Sequence, residues 1–336
     1  MTALAVEGCR RRAARGLVAV ALGALAVVGG PALAADAEPY PARPLRIVVP
    51  IAAGAMPDVV ARIVGTRLAE ALGQPVLVEN RAGASGNIGM ELAARSAPDG
   101  YTLFFAGVTQ TIQPGIAGSR AIDPSRAFAA ITKLVSQPML IAAHPGFPAD
   151  SLPDLIALAR RAPGRFAYST GGIGSTGHLA AAMLSMRAGI ELLHVPYPSA
   201  NLVMKDVISG EVPLTFNVAS AGAAYLRKGQ VKGLAVTSRQ RIAALPEIPT
   251  VAELGFPDYE ISSWYGVLAP IGTPSEIVDR LHRELVAILR VPGVRSDLSA
   301  KGMEVVGNTP GQFAAELSAD VARWGPIVKA AGILVE

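Results

Sequence analysis

Pro44-Leu45-Arg46-Ile47-Val48-Val49-Pro50 opens the segment whose reading decides the fold. Leu45–Val49 is a short, nearly continuous apolar run, the mark of a strand buried on both faces. Val60, Ile63, Val64, Leu68 and Leu72 then recur at helical spacing, and Gly73 stands where a helix C-terminus favours a left-handed residue. Strand-like Pro75–Val78 follows. Strand, helix and strand in that order predict a βαβ unit, and the rhythm continues outward. A helix is expected near Ile88–Arg95, a turn at Pro98-Asp99-Gly100 and a strand at Tyr101–Phe105. Further strands are expected at Met139–Ala142, Phe166–Ser169, Leu192–Val195, Leu214–Phe216 and Leu234–Val236. Ser151 with Asp154, Thr250 with Glu253 and Thr273 with Glu276 are spaced like capping boxes, and Thr309-Pro310 puts proline at a first helical position. The fold class is α/β with mostly parallel sheets.

The N-terminus reads as an address. Arg10-Arg11-Arg12 and Arg15 precede the apolar run Leu17–Val28, and Ala32-Leu33-Ala34 fits the small-x-small rule for signal peptidase. Residues 1–34 are therefore expected to be a signal peptide cleaved after Ala34, with an uncleaved anchor as the competing reading. Cys9, the single cysteine, lies inside that segment, so no disulfide scaffold or thiolate metal site is expected in the mature chain. No second stretch of 18 apolar residues follows. The product is thus expected to be a soluble periplasmic protein. With Glu7, the arginines give residues 1–34 a net +3 of the chain's formal +4, leaving +1 for the body. Such a body has no electrostatic footprint for a polyanion, so no nucleic-acid partner is expected. Apolar types at 51% and charged types at 17% also exclude a disordered chain.

In parallel sheets ligands bind outside the carboxyl ends of the strands, and three Gly-rich turns fall there. They are Ile51–Asp58, Arg81–Gly89 and Thr170–His178. Each leads into a helix N-terminus, where free N–H groups and the helix dipole favour an anion.

Three chemistries compete for these turns. Gly172-Ile173-Gly174-Ser175-Thr176-Gly177 spells a dinucleotide fingerprint, but the acid expected about 20 residues on is Glu191, which precedes the next strand instead of ending it. Ser85, Ser175 and Ser199 all lack the nucleophile-elbow pattern of a hydrolase. His178 lies one helical turn after Ser175 and is expected to cap or pack against its own helix. His144, His178, His194 and His282 show no metal-ligand spacing, so no metal or cofactor is expected. Trp264-Tyr265 sits where the chain crosses between domains and is a candidate for either core or site, whereas Trp324 is expected in the core.

The ordered motifs also resemble a known family. They are Ile47-Val48-Val49-Pro50…Gly54…Asp58, Leu72-Gly73-Gln74-Pro75 and Glu79-Asn80-Arg81-Ala82-Gly83-Ala84-Ser85-Gly86-Asn87-Ile88-Gly89, then Ala97-Pro98-Asp99-Gly100-Tyr101, Gly174-Ser175-Thr176-Gly177-His178 and His194-Val195-Pro196-Tyr197. Leu234-Ala235-Val236-Thr237-Ser238, Leu245-Pro246-Glu247-Ile248-Pro249-Thr250 and Trp264-Tyr265-Gly266-Val267-Leu268 complete the set. Together they resemble the Bug family, the solute-binding proteins of tripartite tricarboxylate transporters.

That resemblance implies a type II periplasmic-binding-protein fold, with two lobes hinged over a central cleft. Residues 35–137 plus 263–336 would form the first lobe and 138–262 the second, with crossings near Gln137–Ala142 and Ser262–Leu268. It implies capture of a small carboxylate, without catalysis, for delivery to inner-membrane transporter subunits. A sensor for a two-component system is the alternative, and an enzyme on the same fold is a third. The ligand-binding residues it implies are Gly54, Asp58, Ser85, Gly86, Asn87, Thr109, Gly174, Ser175, Thr176, Tyr197 and Asn217. The sequence departs from the family at Gly54-Ala55-Met56-Pro57-Asp58, where P-G-G-x-T-D is usual, and at Pro198-Ser199-Ala200-Asn201. It departs again at Asn217, where aspartate is common. An asparagine there offers no charge to an ammonium, which predicts preference for amine-free carboxylates over amino acids.

Overall fold

The computed structural model describes residues 40–117, 122–197, 200–330 and 332. The signal segment and its cleavage after Ala34 lie outside the described residues, as do Pro198 and Ser199.

The opening βαβ unit forms as its pattern predicts. Strand β1 (Leu45–Val49) leads through α1 (Met56–Leu72) to β2 (Val76–Asn80), and β1 pairs with β2 in parallel. Gly73 closes α1 in the left-handed conformation (φ 66°), its N–H donating to the Ala69 carbonyl. A 3₁₀ turn (Ala84–Gly86), α2 (Asn87–Ala94), β3 (Thr102–Gly107), α3 (Val108–Ala117) and α4 (Pro124–Ala127) follow. Next comes β4 (Phe128–Ala143), 16 residues long. After it the chain alternates α5 (Leu152–Arg161), β5 (Ala167–Thr170), α6 (Thr176–Ala188), β6 (Leu193–Pro196), α7 (Ala200–Ser209), β7 (Leu214–Val218), α8 (Ala219–Arg227) and β8 (Lys232–Val236). It ends with β9 (Ser262–Pro270), α9 (Ser275–Arg290), α10 (Pro292–Ala300), β10 (Glu304–Val305) and α11 (Pro310–Ala330).

The strands order as β2-β1-β3-β9-β4-β7-β5-β6, with β8 and β10 also on β4. The outer strands run parallel: β2, β1 and β3 at one end, and β7, β5 and β6 at the other. Every antiparallel pairing among the described residues involves β4 or β9. Between Pro138 and Met139, β4 exchanges its neighbours. Phe128–Pro138 pairs with β9, whereas Met139–Ala143 pairs with β7 and, on the other edge, β8. The strand expected at Met139–Ala142 is thus only the second half of a longer one. Pro138, which breaks the apolar run in sequence, stands at the exchange point, where its missing N–H leaves no ladder bond unmade.

Alternation along the strands sorts their side chains onto two covered faces. Val48, Phe104 and Leu268 join Trp264, Phe313 and Trp324 in one core that continues to Ile141, Tyr168 and Phe216. Ile47, Val49, Leu103, Phe105 and Val267 face α1 and α9 in a second core, and Leu140, Ala142 and Val236 face α7 and α8 in a third. Trp324 is fully buried, as expected.

The start signals divide. Ser151 caps α5, its hydroxyl accepting the Asp154 N–H at 3.3 Å. Thr250 and Glu253 form a reciprocal box, with the Glu253 N–H on Thr250 Oγ1 at 3.0 Å and the Thr250 N–H on Glu253 Oε2 at 2.8 Å, yet turns and no helix follow. Thr273 does not cap α9. Its hydroxyl donates to the Pro270 carbonyl at 2.7 Å, and Pro274 takes the N-cap position.

One buried threonine joins both crossings of the sheet. Thr237, fully buried after β8, accepts the Met139 N–H on Oγ1 at 2.8 Å and donates that hydroxyl to the Ile261 carbonyl at 2.6 Å. Its own N–H donates to the Met139 carbonyl, and its carbonyl accepts the Ile261 N–H, each at 3.0 Å. Met139 begins the second half of β4, and Ile261 immediately precedes β9. Thr237→Val preserves shape but strands a buried donor and a buried acceptor, so it should cost about 1–3 kcal/mol. Urea unfolding checks this: the midpoint should fall at unchanged slope, and Thr237→Ser should recover most of the loss.

Candidate functional site

A cavity of about 640 Å³ opens where the strand ends of the two sheet halves face each other. From the β1–α1 turn come Pro50, Ile51 and Pro57, and from the turn before α2 come Ala82, Gly83, Ser85 and Gly86. The end of β3 and the start of α3 supply Phe105, Gly107, Val108, Thr109 and Gln110. The β5–α6 turn adds Gly171, Ser175 and Thr176, and β9 adds Ser263 and Tyr265. Four helix N-termini, those of α1, α2, α3 and α6, thus contribute to one space. Their unpaired N–H groups and dipoles make it positive in character without a cation. Among the described residues, none that lines the cavity carries a charged side chain.

Of the residues implied by sequence, Ser85, Gly86, Thr109, Ser175 and Thr176 line the cavity. Ala84 and Ser85 both hold left-handed backbone (φ 46° and 55°), a strained conformation that tends to persist at ligand-contacting turns. Gly54, Asp58, Asn87, Gly174, Tyr197 and Asn217 are not among the cavity's lining residues. Asp58 is 2% exposed and fully engaged. Its carboxylate accepts the Gly54 N–H at 2.8 Å, the Arg62 Nε–H at 3.1 Å and the Asn80 side-chain amide at 2.9 Å. Gly54 and Asp58 therefore hold the β1–α1 turn in shape. Burial pushes the Asp58 pKa up, but Arg62, Gly54 and Asn80 outweigh it and leave it below the usual carboxylate range. Asn87 bonds across to Gln113 at 3.4 Å. The Tyr197 hydroxyl donates to Asp206, and burial together with that carboxylate pushes it up to about 12. Asn217 lies within β7 opposite Leu140, 5% exposed, with Oδ1 accepting the Val218 N–H at 2.8 Å.

Gly174 belongs to a second supporting device. Its N–H donates to His178 Nδ1 at 3.1 Å, which places the proton of the neutral ring on Nε2. The His178 ring stacks on His194 at 3.9 Å, and His194 stacks on Tyr168 at 5.0 Å. His194 Nε2 meets Thr170 Oγ1 at 2.7 Å. The stack braces the β5–α6 turn from beneath, while the Ser175 hydroxyl caps α6 by accepting the His178 N–H at 3.3 Å. His178 thus caps and packs against its own helix. Gly177 brings that helix close to β7: a Cβ there would stand 2.1 Å from the Phe216 carbonyl oxygen.

Ile51, Pro57, Ala82, Gly83 and Gly171 come from the three turns singled out in the sequence, whereas Pro50, Phe105, Gly107, Val108, Gln110 and Ser263 were missed as lining residues. The sequence left Trp264-Tyr265 open, and strand alternation decides it. Ser263 and Tyr265 face the cavity. Trp264 points the other way, edge-on to Phe313 at 5.3 Å, with its indole N–H on Asp320 at 3.0 Å.

Two pH windows follow. Burial, reinforced by neighbouring His194, lowers the His178 pKa to about 4. Between about pH 6.5 and pH 4 the unfolded chain then binds more protons than the folded one, so stability falls as pH falls. Below that range Asp58 acts with the same sign, because its stabilisation is lost as pH drops through its lowered folded value. Urea midpoints measured from pH 7 to pH 3 should carry both losses, offset in part by Glu304 and Asp320, whose burial raises their pKa values and acts with the opposite sign. His178→Gln should flatten the upper window, and Asp58→Asn the lower one.

Comparison with known proteins shows the family. The family model described as "Tripartite tricarboxylate transporter family receptor" matches residues 60–333. BugT of Bordetella pertussis is 33% identical over 320 residues, covering 92% of this chain and 97% of that protein. The crystal structure of a TctC solute binding protein from Polaromonas, without ligand, is 29% identical with a TM-score of 0.80, covering 86% of this chain and 99% of that one. An R. palustris protein solved with adipate is 34% identical with a TM-score of 0.69, covering 88% and 99%.

Proposed function

From the tripartite tricarboxylate transporter receptor family, to which this chain belongs, we propose that the protein is a periplasmic, non-catalytic receptor. It captures a small organic carboxylate in the cavity and delivers it to inner-membrane transporter subunits. The observation that carries the reading is the convergence of four helix N-termini on a space with no charged lining side chain among the described residues. The relative solved with adipate supports the same ligand class. No helix among the described residues is long and apolar enough to cross a membrane, which accords with a receptor that is free of the bilayer once its signal segment is removed after Ala34.

Two lobes, 35–137 plus 263–336 and 138–262, would close on the ligand about the crossings at β4 and β9. The exchange of β4 partners at Pro138/Met139 supports this division. Ser85, Gly86 and Thr109 would hold the ligand from the first lobe, and Ser175 and Thr176 from the second. Gly54, Asp58 and Gly174 would shape the turns, while Asn87, Tyr197 and Asn217 would act from outside the lining.

Magnitudes allow such a site to work without a cation. Each hydrogen bond to a charged group contributes about 1.5–3 kcal/mol, so four or five give roughly 6–15 kcal/mol. Association costs at least about 4 kcal/mol, and micromolar affinity needs about −8 kcal/mol. Backbone amides and hydroxyls suffice.

A thermal-shift screen of carboxylates followed by calorimetry tests the reading. One-site binding without conversion of the recovered ligand is expected, and Ser175→Ala should weaken it by about tenfold or more. Amine-free acids should outbind the matching amino acids, because among the described residues no carboxylate lines the cavity to receive an ammonium. Failure of every carboxylate to bind, or its chemical turnover, would remove the protein from the receptor class.

A further inference from the structure

Strand β3 passes straight into α3, with Gly107 as its last residue and Val108 as the first of the helix. Gln110, third in α3, reaches back and accepts the Gly107 N–H on Oε1 at 2.8 Å. That is the returning half of a capping box, with glycine in the N-cap place. A backbone N–H needs an acceptor, so this bond fixes which end of the amide is oxygen and where the NH2 lies. The NH2 reaches the turn before α2, where Gly86 makes room for it. A Cβ on Gly86 would stand 2.6 Å from Gln110 Nε2, and Gly86 holds left-handed backbone at φ 92°. Both residues line the cavity, together with Ser85 and Thr109. Gln110 is 5% exposed, yet its Nε2 donates to no group among the described residues. This flank of the cavity therefore carries a fixed, buried NH2 with two donors to give.

Such a group costs free energy until an acceptor meets it. A carboxylate has two acceptor oxygens and no proton to give, so it matches the pair of N–H groups. An ammonium is a donor only and would meet those N–H groups head-on. We propose that the Gln110 side chain binds the ligand directly, its NH2 donating to a carboxylate and excluding an ammonium from that point. The proposal rests on the reading of this cavity as the carboxylate site.

Gln110→Glu separates this role from capping. Glutamate third in a helix caps as glutamine does, and its charge suits a helix N-terminus. A role confined to capping therefore leaves both the melting temperature and binding at least as high as before. The same change puts a carboxylate oxygen where the NH2 was. Calorimetry uses succinate, glutarate and adipate, their 2-amino counterparts aspartate, glutamate and 2-aminoadipate, and any acid that the wider screen finds. The tightest acid should lose about a hundredfold or more in affinity, at a melting temperature unchanged or raised. Its amine-bearing counterpart should lose less, so the ratio between the two narrows by about tenfold. In the unaltered protein the Gln110 NH2 resonances, assigned by their absence from the variant, should shift on addition of that acid, a readout that stands even where the variant is destabilised. Affinity of a well-folded variant within about threefold of the unaltered protein, or NH2 resonances that do not move, overturns direct binding and leaves the receptor reading standing. An unmoved ratio overturns the exclusion of the ammonium. If no acid binds the unaltered protein, the receptor reading itself falls and takes this one with it.

Discussion

A β-strand has two hydrogen-bonding edges, and β4 spends both of them twice. Its first half lies between β9 and β10, and its second half between β7 and β8. The exchange is abrupt, and Thr237 makes it tolerable by giving the Met139 N–H and the Ile261 carbonyl a shared hydroxyl in a dry interior. Everything that defines the cavity hangs from that junction. The turns after β1 and β3 are carried by one sheet half, the turn after β5 by the other, and β9 lends Ser263 and Tyr265 at the seam. A buried, doubly used threonine ties the two crossings together at that seam.

The charges that matter most to the cavity do not line it. Asp58 and Arg62 form an ion pair behind the β1–α1 turn, and the neutral His178–His194 stack lies behind the β5–α6 turn. Each fixes a loop whose backbone then presents donors, so a neutral lining is held by ionisable groups one layer back. An arginine in the lining would hold an anion more tightly but release it more slowly, since tighter complexes differ mainly in their off-rates. Fixed dipoles and hydroxyls suit a protein that must give its cargo up.

The sequence made the strand–helix rhythm and the Gly-rich turns legible because both rest on local chemistry, namely burial on two faces and the left-handed backbone. It was less informative where the outcome depends on which group a residue meets. Asp58, Tyr197 and Asn217 are polar residues in motif positions, yet the first two spend their side chains on neighbouring protein groups, and Asn217 Oδ1 holds the next residue's N–H. Phe105 and Val108 went unseen for the opposite reason: an apolar residue at the edge of a cavity has the same pattern as one facing the core. Pro138 hid the first half of β4, since a proline within a strand reads as its boundary. The Thr250–Glu253 box formed its bonds without a helix, because capping chemistry satisfies a turn as well as it starts one.

The position of β9 also bears on how the chain reaches this structure. Residues 45–107 provide β1, β2 and β3, but the neighbour that covers the β3 edge is β9, which arrives only at residues 262–270. Strand β4 likewise waits for β9 and, later still, for β10 at 304–305. The central sheet therefore closes through pairings that span well over a hundred residues, and such high contact order slows folding. A chain that emerges N-terminus first carries the open edge of β3 until most of its length has appeared, so a partner that shields strand edges has its longest window of use on this half of the molecule.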